Sequence, residues 1–182
     1  MNTTNTHWSF TKKFLFRFFF IYFLISIAPW TWLENIPYVA EVTVPWYWLQ
    51  DQIVQFANKS LFKVYKELVP LNGSGDTSWA WTHLWIFTLL SLLVAIIWSV
   101  LDRNKPAYPR WNYLLCTIVR YYVAMIAFGY GIIKLFALQM SFPSLSQLAT
   151  PLGDYLPMRF SWMFIGYSAP YQIFSGAAEV IV

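Results

Sequence analysis

Residues 81–101, "WTHLWIFTLLSLLVAIIWSVL", contain no Asp, Glu, Lys or Arg. As a helix this run reaches about 30 Å, the thickness of the hydrocarbon core of a bilayer. Tryptophans stand near both of its ends, where an aromatic belt meets the headgroups. A chain built around such a segment belongs in a membrane, and its other apolar runs are read in that light.

Only 11% of the 182 residues are charged and 58% are hydrophobic, too few charges to cover a soluble globule of this size. The net charge of +4 carries less information than the placement of the basic residues. Nucleic acid is not an expected partner. Cys116 is the single cysteine and lies in an apolar run, so the chain builds no internal disulfide, redox CxxC or thiolate metal cluster. His7 and His83 are isolated and make no metal or haem site, though His83 alone is able to contact a ligand.

Three further spans are expected. Residues 14–30 follow Lys12 and Lys13 and end at Pro29 with Trp30 and Trp32 at the interface. A signal peptide is the competing reading, but no small-x-small cleavage site follows. Residues 111–137 and 157–182 are each long enough to cross, and both carry charge. The sequence therefore predicts an all-α membrane protein, a multi-span bundle of four transmembrane helices and one outer amphipathic helix. Its parts are 1–30 (cytoplasmic tail and first span), 31–80 (outer segment), 81–110 (second span and basic inner loop) and 111–182 (a two-span core).

Lys12, Lys13 and Arg17, and then Arg103, Lys105 and Arg110, mark two cytoplasmic sides, whereas 139–156 has no Lys or Arg and is expected outside. The N-terminus is then cytoplasmic and 31–80 lies outside. Single cysteines at Asn72 and Asn104, in a Cys116→Ser background, are expected to separate in labelling by an impermeant maleimide on intact cells. Labelling of Asn104 but not Asn72 would reverse the orientation. Within the outer segment, Leu49, Ile53, Phe56, Val64 and Leu68 recur at helical spacing, which predicts an amphipathic helix over 45–69. Trp46, Tyr47 and Trp48 suit the headgroup layer, so the helix lies either on the outer leaflet or against the bundle. The following "NGSGDTS" breaks it, and Asp76 or Thr77 is placed to cap the next helix.

The third span holds Arg120 and Lys134 fourteen residues apart, within about 40° of one face and separated by roughly 21 Å along the axis. Ala124, Ala127 and Gly131 lie between them, small residues that let a neighbouring helix approach. In the fourth span Ser161, Ser168, Gln172, Ser175 and Glu179 share a polar face. If that span is one unbroken helix, Glu179 lies more than about 30 Å along it and returns to the inner half, near Arg120. A buried Arg120–Glu179 pair is therefore expected, as a lock between spans or as part of a functional path. Lys134, near the outer end, is expected to snorkel or to meet Asp154. Lys134, Tyr130, Gln139 and Asp154 form a candidate polar mouth for a ligand, while Tyr121, Tyr122 and Tyr130 read as packing or interface aromatics rather than redox groups. No metal site is expected.

The succession "NGSGDTSWAWTHLW", "IIWSVLDRNKPAYPRWNYLL", "RYYVAMIAFGYGIIKLFALQ" and "FPSLSQLATPLGDYLPMRFSWMFIGYS" resembles bacterial membrane proteins of the DoxX-like family, over 73–179. Gly131 and Lys134 match that family's Gly-x-x-Lys, and Gly176 with Glu179 resembles its acidic, glycine-bearing helix. The resemblance implies a four-helix core beginning at the third span, of which two helices are present. With the chain stopping at "AAEVIV" inside an apolar run, a fragment of a longer protein is expected. It also implies the bacterial inner membrane and a link to quinone chemistry, with a quinone as the possible cofactor. The readings are then a quinone-coupled redox subunit, an assembly module holding a protein partner or a second copy at the lipid bilayer, or a solute or proton path through Glu179.

Overall fold

The computed structural model describes residues 7–71, 75–155 and 157–181; Asn72 and most of the glycine-rich loop around it lie outside them. Every regular element among the described residues is helical. Helix α1 is Phe10–Ile27, α2 Val44–Ala57, α3 Ser78–Leu101, α4 Pro109–Leu135, α5 Leu145–Leu148, α6 Pro157–Gly166 and α7 Ala169–Ile181. Three stretches are long and apolar enough to cross a membrane: Phe10–Glu34, Ser78–Leu101 and Pro109–Leu135. Such helices suit a membrane-embedded protein, and they are the first three of the four expected spans.

Local chemistry sets their ends. Ser9 caps α1 by accepting from the Lys12 backbone N–H, and Thr77 caps α3 by accepting from Ala80. Thr77 is thus the capping residue of the two that the sequence offers. Pro109 opens α4, where a missing N–H costs nothing. Ala137, at φ 53°, closes that helix with paired bonds from its own N–H to Lys134 and from Leu138 to Ile133, the pattern of a Schellman motif.

The fourth span is not one helix. It breaks at Tyr167 and Ser168 into α6 and α7. Pro170 is the cause: it has no N–H for the carbonyl of Gly166, and its ring would clash with that carbonyl if the helix continued. Ser168 takes over as the start of α7, accepting from the Tyr171 N–H. The outer helix is also shorter than 45–69. It becomes a wide π turn at Asn58–Phe62 and stops at Lys63, which adopts a left-handed conformation. Between the two placements open to it, α2 takes the packed one. Val54 and Ala57 are fully buried with Ile86 and Phe87 of α3, although Trp48 and Phe56 remain exposed.

The chain divides into two compact units, 1–119 and 120–182, with the boundary inside α4. In the first, α1 packs along α3, and a core of Phe16, Phe20, Tyr108 and Leu115 gathers beside Trp98. The second contains the C-terminal half of α4 and the segments through α7.

Candidate functional site

In the second unit the end of α4 and α7 meet backbone to backbone at Gly131 and Gly176. A Cβ added to Gly176 would stand 2.7 Å from the Gly131 carbonyl oxygen, the Leu135 nitrogen and the Lys134 Cβ, and one on Gly131 would stand 2.9 Å from the Gly176 oxygen. Only glycine admits that approach at either position. Further along, the Gln172 side chain, 1% exposed, donates to the Met140 carbonyl at 2.9 Å and accepts from the Met140 N–H at 3.1 Å. Gly131 lies against Val180, Lys134 against Gly176 and Met140 against Gln172, so the two segments run antiparallel.

This register decides the ion pair. Lys134 lies against Gly176, and Glu179 stands one turn beyond Gly176 on α7. They arrive at the same level, and Lys134 Nζ pairs with Glu179 Oε1. The expected Arg120–Glu179 pair is therefore not formed: Arg120 lies a further fourteen residues away along α4, and its side chain is exposed. A Glu179 returning to the level of Arg120 requires an unbroken fourth span, and the break at Tyr167 and Ser168 shifts it. Lys134 neither snorkels nor meets Asp154. Its side chain is only 11% exposed, against 33% for Glu179.

The polar mouth expected from Lys134, Tyr130, Gln139 and Asp154 does not assemble around hydrogen bonds. Among the described residues none links Lys134 to the other three. Tyr130 is exposed, Asp154 is exposed in a 3-10 turn, and Gln139 buries its Oε1 without a partner. The polar face of the fourth span narrows to Gln172 and Glu179. Ser161 is exposed and Ser168 serves as a cap.

Beside the ion pair lies a groove of about 670 Å³, whose walls include Arg120, Ala124, Ala127, Phe128, Val180 and Glu179. It is mostly apolar, with the guanidinium and the carboxylate as its charged groups. Glu179 Oε2 is buried and has no hydrogen-bond partner. A buried carboxylate oxygen left without a donor is costly, and it is the kind of atom a ligand hydroxyl satisfies.

The first unit holds a second buried charge that counting basic flanks does not reveal. Arg17, 1% exposed on α1, donates from Nε and Nη2 to the Tyr108 hydroxyl at 3.1 and 2.6 Å. It also donates from Nη1 to Ser99 Oγ at 2.9 Å and from Nη2 to the Asp102 carbonyl at 2.8 Å. Tyr108 then donates to Asp102 Oδ2 at 2.7 Å, which Trp98 Nε1 also approaches. That bond from Tyr108 holds the Asp102 carboxyl below its ordinary range, and burial pushes the Tyr108 hydroxyl up. The available signal was the sequence "FLFRFFF": an arginine enclosed by phenylalanines needs a polar partner from another segment. His83 stacks between Trp79 and Phe87, with ring centroids 5.0 and 4.4 Å away, as packing.

Compared with protein-family models, curated proteins and solved structures, the chain matches none.

Proposed function

We propose that this chain is a multi-pass membrane subunit that holds a lipid-soluble ligand of the quinone class in the groove between α4 and α7. The observation that carries the reading is Glu179, a residue of the groove wall: one of its oxygens is tied to Lys134, and the other is buried and unpartnered. A quinol hydroxyl is a suitable donor for the Glu179 carboxylate, and Arg120, farther along the groove, supplies donors for a second polar group of the ligand. Ala127, Phe128 and Val180 offer apolar surface for a tail, in keeping with ligand sites that are largely apolar with a few placed polar groups. The DoxX-like resemblance adds support, because it brings Gly131, Lys134, Gly176 and Glu179 into one motif pair and implies quinone-linked chemistry. It also supports placing the chain in a bacterial inner membrane, and the basic residues flanking the first two spans support an N-terminus in the cytoplasm.

The test uses the full chain in mild detergent and a short-chain quinol analogue, read by thermal shift. Arg120→Met and Ala127→Leu alter the groove without touching the Lys134–Glu179 pair. Both variants are expected to melt near the parent without ligand and to lose its ligand-dependent shift. Equal shifts in all three proteins would overturn the reading.

One observation favours a second reading, an assembly role. Arg120 is exposed in the middle of α4, where an unpaired charge facing lipid costs at least ~2.5 kcal/mol. A transmembrane helix bearing a carboxylate would relieve that cost. A stoichiometric protein that copurifies with the parent and is lost in Arg120→Met, with no ligand shift in either, decides for assembly.

A further inference from the structure

A different part of the molecule carries an inference independent of the groove. The segment after α2 turns sharply, and three lysines converge where it does. Asn58, 5% exposed, organises the turn. Its backbone oxygen accepts from the Lys63 N–H at 2.7 Å, its Oδ1 accepts from the Val64 N–H at 3.0 Å, and its Nδ2 donates to the Tyr65 carbonyl at 2.8 Å. This network holds Lys63 at φ 49° and ψ 41°, a left-handed conformation that a side chain with a Cβ disfavours. The backbone accepts that strain where glycine would relieve it.

The result is a cavity of about 470 Å³ lined by Gln55, Asn58, Lys59, Lys63, Tyr65 and Lys66. Three exposed lysines are among its lining residues, and no acidic residue is. The acid one turn back, Asp51, is engaged by Trp79 Nε1 at 2.8 Å and by Gln55 Nε2 at 3.4 Å. Cations near a helix C-terminus gain something from its carbonyls, but those of Val54, Gln55 and Asn58 already accept from the Asn58 and Lys63 N–H groups. Mutual repulsion of the three lysines is then relieved best by an anion with several acceptor oxygens. Leu61, Val64 and Tyr65 are exposed around the same turn, an apolar rim beside a basic cavity.

We propose that this turn is a receptor for a phosphate group, carried by an anionic lipid headgroup or free as inorganic phosphate. Lys59, Lys63 and Lys66 supply the charge, and the Tyr65 hydroxyl and Gln55 amide supply neutral donors. Each lysine near a membrane surface is expected to strengthen binding about fivefold, so that replacing all three by glutamine weakens it about a hundredfold.

The experiment places the full chain in nanodiscs and follows its melting temperature. One arm uses purely zwitterionic phosphatidylcholine and titrates inorganic phosphate against chloride at matched ionic strength. The other arm replaces part of the lipid with phosphatidylglycerol. Stabilisation by phosphate in the first arm identifies a free-phosphate site; stabilisation in the second arm alone identifies a headgroup site. Lys63→Gly separates binding from architecture. It removes one ammonium while relieving the left-handed strain, so the unliganded protein should melt higher and yet bind about fivefold more weakly. Stabilisation in neither arm, or a Lys63→Gly protein that binds as tightly as the parent, would overturn the proposal.

Discussion

Replacing Arg17 by methionine is expected to destabilise the protein by about 3–5 kcal/mol, the range for removing one member of a buried charged network. Methionine keeps much of the stem, so the loss reports the guanidinium rather than the packing. Four donated bonds vanish, and the Tyr108 hydroxyl, Ser99 and the Asp102 carbonyl lose their donor together. Tyr108→Phe removes the oxygen that relays between Arg17 and Asp102 and should cost less, about 1.5–3 kcal/mol. Because the two residues share partners, the double variant should lose clearly less than the sum of the singles. Unfolding in mixed micelles measures all three. A neutral Arg17→Met would mean that the arginine reaches water and that the network contributes nothing. The same network gives an acid signature. Asp102 is depressed below its ordinary 3.8, so its contribution is present at neutral pH and is lost only as pH falls through and below that value. In Tyr108→Phe the bond that depresses it is gone, and this share of the acid sensitivity should shrink.

The three long helices are legible in the sequence because lipid imposes a simple rule: about twenty apolar residues, aromatic ends, and basic flanks. Thr77, as one of two cap candidates, and Gly131, as one of the small residues on the Arg120–Lys134 face, are legible for equally local reasons, whereas Gly176 enters only through the DoxX-like resemblance. Errors enter where one residue changes the register of everything after it. Pro170 sits thirteen residues into the expected fourth span, and the periodicity of serines across it gives no warning that the helix ends and restarts. Once the span is divided, the seven-residue repeat linking Ser161 to Ser175 no longer describes one face, and the level of Glu179 is set by the Gly131–Gly176 contact and the Gln172–Met140 clamp. That clamp joins a side chain to a backbone 32 residues away, a contact with no sequence signature. The end of α2 is similar. The apolar spacing continues through Leu68, but the Asn58 side chain captures Val64 and Tyr65 and turns the chain. Arg17 illustrates a different gap. A basic residue one turn into a span satisfies the orientation rule whether it reaches outward to water or inward to Tyr108, and only the loop at 102–108 distinguishes the two.

The ion pair of the second unit should respond asymmetrically to being broken. Glu179→Gln keeps the shape but leaves the Lys134 ammonium nine-tenths buried without its counter-charge, so it is expected to cost about 3 kcal/mol or more. Lys134→Met leaves a carboxylate that is one-third exposed, and its cost should be the smaller of the two, roughly 1–2 kcal/mol. The double variant Lys134→Met with Glu179→Gln strands no charge and should recover most of the loss, giving a coupling of about 2 kcal/mol. Glycine controls separate the pair from the helix contact beneath it. Gly129→Ala meets nothing within 4 Å and should stabilise α4 by up to about 1 kcal/mol through helix propensity alone. Gly176→Ala would press a methyl into the backbone of α4 and should destabilise by about 1–3 kcal/mol. It should also reduce the Lys134–Glu179 coupling, because the pair depends on the backbones touching. Additive losses from Lys134→Met and Glu179→Gln would show that the two charges stand apart in the membrane, and would return Arg120 to contention as the partner of Glu179.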